Sequence, residues 1–491
     1  MKVLVIGGGT AGCAFAGALL ERSSFDVTLV EAGPDYGPFD AHRWPAELLD
    51  SRRLASSHDW GLAEASVAPR HLALERARVL GGCSAHNGCA IIRGPASDYQ
   101  RWAEVTGDPH WLPDALEEDF SAVEAALEVR QLPMAEVTPF QRDLHAAALA
   151  AGYPALSAVG GYDQKPGVAI WPMNKRGGVR WNAAFAFLDP HRSSGRLTIL
   201  DQTEVHRLLV EGESVVGVEG RRQGEDFSLK ADLVVLSAGA YGSPMLLQAS
   251  GIGDPDQLAA AGIACRHALP GVGKGLQDHP SVVLRYQASA ALEARMEAFE
   301  AGQLAYDEGA IVTLASRQAR DPVDLHLVPA AGHDGAGDRY WEIGAALLTP
   351  RSKGQVRPLA GGDVAIEHDY LSDPEGHDLA CLLDGIAAIC ALVREAPLSE
   401  GLTAPVSLAD SVEGVDLSAW VKGHVQHYWH PAGSCAMGRS AEEGAVVDGK
   451  GRLLGLEGCI VADCAIMPGV PAANTNLPAA LVGRRLARFV G

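Results

Sequence analysis

Residues 3–31 constrain this chain more than any other stretch. Residues 3–6 read VLVI, an apolar run of strand length, and residues 7–12 read GGGTAG. A helical pattern then continues through Leu20, and VTLV at 27–30 ends on Glu31. The order strand, glycine turn, helix, strand, acid predicts a β–α–β unit that binds a dinucleotide. Gly7 permits the tight turn, Gly9 lets backbone approach a pyrophosphate, and Gly12 lets helix and strand pack closely. Thr10 and Ala11 open the helix, where free N–H groups face phosphate oxygens. Glu31 lies nineteen residues after Gly12, where a carboxylate accepts hydrogen bonds from a ribose diol and disfavours a 2′-phosphate. The unit therefore suits FAD or NAD over NADP, and it does not separate the first two.

With 491 residues, 47% of them hydrophobic, the chain has ordinary globular composition and length for two domains. Its formal net charge of −21, without a basic cluster, argues against nucleic acid and anionic membranes as partners. No charge-free apolar run reaches the roughly 18 residues of a membrane span. Met1 and Lys2 lead straight into the first strand, so a cytoplasmic location is expected. Nine cysteines without a CxxC pair suggest neither a disulfide framework nor a metal site.

Five further blocks follow in order. They are GGCSAHNGC at 81–89, GSPMLLQASGIG at 242–253, LPGVGKGLQDHP at 269–280, HPAGSCAMG at 430–438, and VADCAIMP at 461–468 with NTN at 474–476. Together they resemble the signatures of the glucose–methanol–choline (GMC) flavoprotein oxidoreductases and span nearly the whole chain. The resemblance implies FAD as cofactor. It also implies an α/β fold, α+β overall: a Rossmann-like FAD domain from residues 1–155, 190–281 and 430–491, and an antiparallel-sheet substrate domain from 156–189 and 282–429. The segments 197–200, 205–210 and 215–218 read as strands with turns at Gly212 and Gly220, and relatives place a valine at the position of Val205 against the adenine. Residues 233–236, 324–329 and 341–348 read as further strands, 379–394 as a helix, and 332–338 as a flexible loop.

Alcohol oxidation by hydride transfer needs an acceptor, a base for the hydroxyl proton, and a geometry that holds the reacting carbon. The resemblance places the base at His430, an imidazole that can be neutral at working pH. It places the oxygen-positioning partner at Asn474, whose amide both donates and accepts; on local sequence alone Asn474 reads equally as a helix N-cap. Gly82, His86, Asn87, Gly88, Asp463 and Asn476 are implied flavin contacts. The surroundings of His86 resemble choline oxidase, which implies covalent attachment of FAD through His86, with a hydrogen-bonding neighbour as the alternative. Gly88 and Trp429 depart from that enzyme's serine and tyrosine, so its substrate does not transfer. Tyr428, Trp429 and His326 are candidate linings of an apolar pocket for a primary aryl or alkyl alcohol. The expected electron acceptor is O2 or another oxidant, and the oligomeric state is not legible. A hydroxynitrile lyase with redox-silent FAD is the alternative activity.

Overall fold

The computed structural model describes residues 1–66, 70, 72–333, 337–406 and 416–491. Two sheets organise it. The first is parallel and five-stranded. Its order is Cys459–Val461, Leu233–Leu236, β1 (Lys2–Ile6), β2 (Asp26–Val30), Leu197–Leu200. Val3 to Ile6 are all buried, which is why the strand reads as a solid apolar run instead of an alternation. Between β1 and β2 runs α1 (Thr10–Arg22), buried continuously from Ala11 to Leu20. The helix Asn476–Ala487 packs against α1 so closely that a Cβ at Gly483 would overlap the Ala11 carbonyl.

The second sheet is antiparallel and six-stranded, in the order Leu402–Pro405, Ser281–Ala288, Arg339–Leu347, Leu325–His333, Ala310–Leu314, Gly167–Ile170. Helices Pro139–Ala150 and His377–Leu392 share its core. The second of these helices approaches within reach of the sheet backbone at Gly385, where a Cβ would lie 2.7 Å from Ala345 Cβ. A smaller antiparallel meander, Thr203–Glu211, Ser214–Arg222 and Glu225–Lys230, stands beside the parallel sheet.

Three expectations are corrected. Gly220 is not a turn but lies mid-strand, paired with Val205 and Phe227. It is glycine because a Cβ there would overlap the Glu204 carbonyl; the turn falls instead at Gln223 and Gly224, both at positive φ. Gly332 and His333 belong to a strand paired with Tyr340 and Arg339, while 334–336 of that expected loop lie outside the described residues. Asn474 is not the N-cap of the last helix; the N-cap is Thr475 and the helix starts at Asn476. No helix among the described residues is long and apolar enough to cross a membrane.

Candidate active site

At the nucleotide end, backbone geometry does most of the work. Gly7 has φ +101°, and a Cβ there would overlap the Ser237 carbonyl; a Cβ at Gly12 would overlap the carbonyl of Gly7. Both glycines are required by the protein's own packing. Gly9 differs. Its φ of −76° is ordinary, and a Cβ there would meet nothing nearer than Gly82 Cα at 3.9 Å. Gly9 and Gly82 thus approach closely: a Cβ on Gly82 would sit 2.5 Å from Gly9 Cα, whereas one on Gly9 would not clash.

Glu31 is buried and accepts the Gly8 N–H (2.8 Å) and the Gly33 N–H (2.7 Å), one on each carboxylate oxygen. Burial pushes its pKa up to about 6 against those two hydrogen bonds. Thr10 Oγ1 donates to Asn476 Oδ1 at 2.9 Å, tying the first residue of α1 to the first residue of the last helix. Asn476 Nδ2 is buried without a protein partner. The Val205 backbone lies at a β-bulge in the meander. Asp463 is engaged by protein donors: Gly239 N–H (2.8 Å), Ser243 Oγ (2.5 Å) and Ala465 N–H (2.7 Å). Its carboxylate therefore joins the turn after strand Leu233–Leu236 to the turn after strand Cys459–Val461.

The segment carrying Gly82, His86, Asn87 and Gly88 begins as a short 3-10 helix, Gly82–Ala85. It is clamped by Arg180, to which the sequence analysis assigned no role. This fully buried guanidinium donates to the carbonyls of Asn87 (2.8 Å), Ala85 (2.7 Å) and Leu48 (2.9 Å) and to that of Arg53. His86 is buried, lies beside the Ser57 backbone, and has its pKa lowered chiefly by burial. Its Nε2 has no protein partner.

The chemistry end assembles from segments far apart in sequence. Cys89, Tyr428 and Ala473 pack in one apolar cluster with Trp171, Ala310 and Val328. Three expected site segments therefore converge: that of His86, that of His430 and that of Asn474. The His430 main-chain N–H donates to Asp278 Oδ1 at 2.9 Å, and its ring Nδ1 lies 2.9 Å from Nδ1 of His279. Burial first, then the neighbouring His279, holds the His430 pKa well below its usual range. The Tyr428 ring packs edge-on to it at 4.6 Å. Asn474 Oδ1, Tyr428 OH and both ring nitrogens of His326 are buried without protein partners. Trp429, by contrast, does not line the pocket. It is 37% exposed, sits at φ +59°, and donates its indole N–H to Glu75 at 3.0 Å.

Two residues missed in the sequence complete the picture. His279 lies in the quoted block at 269–280, but nothing local linked it to His430. Glu308 carries no motif at all. Its partly buried carboxyl faces Gly88, where an added Cβ would stand 3.4 Å from it, and its charge reaches Cys89 and Tyr428. Burial alone pushes its pKa up to about 7, with no hydrogen bond or counter-charge offsetting the shift.

The residues present fit FAD. Gly9 and Gly82 approach backbone to backbone without a side chain between them, and Asn476 Nδ2, His86 Nε2 and Asn474 Oδ1 are buried polar atoms without protein partners. The chain is 29% identical to oxygen-dependent choline dehydrogenase 1 of Chromohalobacter salexigens over 99% of this chain and 93% of that one. It matches the solved pyridoxine 4-oxidase of Mesorbium loti with TM-score 0.86 and 26% identity, covering 99% and 98% of the two chains. A fungal aryl-alcohol oxidase shares the fold, with TM-score 0.78 and 21% identity over 99% and 98%. GMC oxidoreductase family models match residues 1–281 and 350–483, and the chain belongs to that family of FAD-dependent enzymes acting on CH–OH donors.

Proposed function

We propose that this enzyme oxidises a primary alcohol to its aldehyde, with His430 as the base and Asn474 positioning the substrate oxygen. The observation that carries the reading is His430 itself: a buried imidazole whose pKa burial holds well below its usual range, edge-on to Tyr428, which packs in the same cluster as Ala473 beside Asn474. Bound FAD supplies the hydride acceptor. Desolvation keeps the imidazole neutral at working pH, with one ring nitrogen bare, so it can accept a proton as the alcohol oxygen becomes anionic. Asn474 Oδ1, which has no protein partner, can accept the substrate hydroxyl hydrogen, and its amide N–H2 can donate to the alcohol oxygen.

The sequence suggested a primary aryl or alkyl alcohol. Glu308 narrows that class to an alcohol carrying a positive charge or a protonated ring nitrogen, because its carboxyl has no counter-charge of its own. Choline and pyridoxine, named in the two relatives above, are both of this kind. His86 Nε2 is the atom we assign to a covalent bond with the flavin; after acid precipitation the pellet stays yellow, and a colourless pellet under a yellow supernatant overturns that assignment.

The test of the activity is anaerobic bleaching of the holoenzyme by choline, pyridoxine and benzyl alcohol. Bleaching fastest with the first two is expected. A flavin that no alcohol bleaches, in a protein that cleaves mandelonitrile, would make the enzyme a lyase.

A further inference from the structure

His279 is buried completely, packs near the Tyr428 ring, and makes two hydrogen-bond contacts at its ring nitrogens. Nε2 lies 3.1 Å from the Pro471 carbonyl, and Nδ1 lies 2.9 Å from His430 Nδ1. A carbonyl oxygen only accepts, so His279 Nε2 must carry a hydrogen. Burial pulls the His279 pKa down to about 4, so near neutral pH the ring carries one hydrogen and its Nδ1 is bare. The contact between two Nδ1 atoms needs one hydrogen, and only His430 can supply it. His430, also neutral, is then protonated at Nδ1 and bare at Nε2.

We propose that His279 is a positioning residue that holds His430 in the Nδ1–H tautomer and so reserves its Nε2 lone pair for the substrate proton. The proposal rests on the reading of His430 as the base. In the reaction the substrate O–H bond breaks and its proton is taken by the Nε2 lone pair. The C–H bond breaks with its electron pair passing to the flavin as hydride. His430 becomes an imidazolium whose Nδ1–H stays bonded to His279, so the contact survives the change in charge. Asp278, the residue before His279, grips the His430 main chain at the same time. Pro471 lies three residues before Asn474, so one ring connects the base to the segment that carries its partner. Asp278, His326, His427, Arg76 and Tyr428 are the other titratable groups facing the pair.

Two measurements on the FAD-loaded enzyme test this. In 15N-histidine spectra, His430, identified by its loss in His430→Ala, should show a protonated Nδ1 and an unprotonated Nε2; the opposite pattern overturns the proposal. In stopped-flow reduction by the fastest of choline, pyridoxine and benzyl alcohol, His279→Leu should lower the limiting rate about 10- to 100-fold, because His430 is free to take the unproductive tautomer. The substrate dissociation constant should stay near wild type, and the rate–pH profile should move. His279→Gln should recover to within about fivefold, since an amide spans a similar distance with one acceptor and one donor. Wild-type rate and pH profile in His279→Leu overturn the proposal, as does failure of Gln to outperform Leu at equal FAD content. Should His279→Leu not fold, the wild-type tautomer spectrum and the Gln variant still decide. If His430→Ala slows reduction but His279→Leu does not, only this inference fails; if His430→Ala reduces normally, the base reading itself falls.

Discussion

The two ends of the candidate site are built on different principles. At the nucleotide end the determinants are backbone: Gly7 and Gly12 are compelled by carbonyls a few ångströms away, and Gly9 by space left open. At the proposed chemistry end they are side chains, Asp278–His279, Glu308, His430 and Asn474, delivered from four segments, with Asp278, His279 and His430 buried and Asn474 Oδ1 buried without a partner, where an unpaired atom is costly. The backbone determinants sit next to one another in the chain, and at Gly7 and Gly12 a side chain would meet the protein's own backbone. The side-chain determinants are scattered along the sequence.

That contrast can be broken at several points. The largest effect should come from His430→Ala: flavin reduction slowed on the order of 10² to 10⁴ with FAD still bound, measured by stopped flow and cofactor absorbance. Loss of FAD instead would mean that the chemistry end also holds the fold. Next, Gly12→Ala forces a methyl into the Gly7 carbonyl and should cost about 1–3 kcal/mol of apoprotein stability in denaturant titrations.

Glu308→Gln should lower kcat/KM for choline about tenfold while leaving benzyl alcohol nearly unchanged. In the wild type the carboxyl is protonated below about 7, so kcat/KM for the fixed cation should fall as pH drops through that value, and the Gln variant should lose this limb. Because the folded pKa is raised above the ordinary 4.5, the native state holds a proton that the unfolded chain releases between those values. The stability attached to it is full at low pH and is lost as pH rises toward 7. Glu308→Gln should therefore raise the thermal midpoint at about pH 8 and not at about pH 4. A midpoint difference independent of pH would sink the assignment.

The smallest stability effect should belong to Gly9→Ala, within about 0.5 kcal/mol for the apoprotein because its methyl would enter open space. FAD affinity should nonetheless fall, by calorimetric titration of apoprotein with FAD. A strongly destabilised Gly9→Ala would erase the distinction between glycines the protein needs and glycines the ligand needs.

Legibility in the sequence followed the same division. The first β–α–β unit could be read almost to the residue because strand, turn and helix signals are local and consecutive. Gly220 shows where local reading fails: the glycine marks a close approach by the neighbouring strand at Glu204, and a single sequence cannot distinguish that from a turn. Trp429 was a pocket candidate by adjacency to His430, yet its positive φ turns the indole outward to Glu75. Asp463 stood only as a flavin contact, although its carboxylate has three protein donors. Glu308 and Arg180 were invisible because their roles arise only when distant segments close around them. His279 was written out within a quoted block and had no role until His430 lay 2.9 Å away.

The hydrogen bond from Thr10 to Asn476 spans 466 positions. Synthesis proceeds from the first strand onward at about 5–20 residues per second, so the two helix N-termini first meet tens of seconds after β1 has emerged. Until then the nascent chain displays a glycine turn made for a pyrophosphate with only one of its walls in place. The seam between α1 and the helix Asn476–Ala487, which brings Thr10 to Asn476, can therefore close only once the end of the chain has been made.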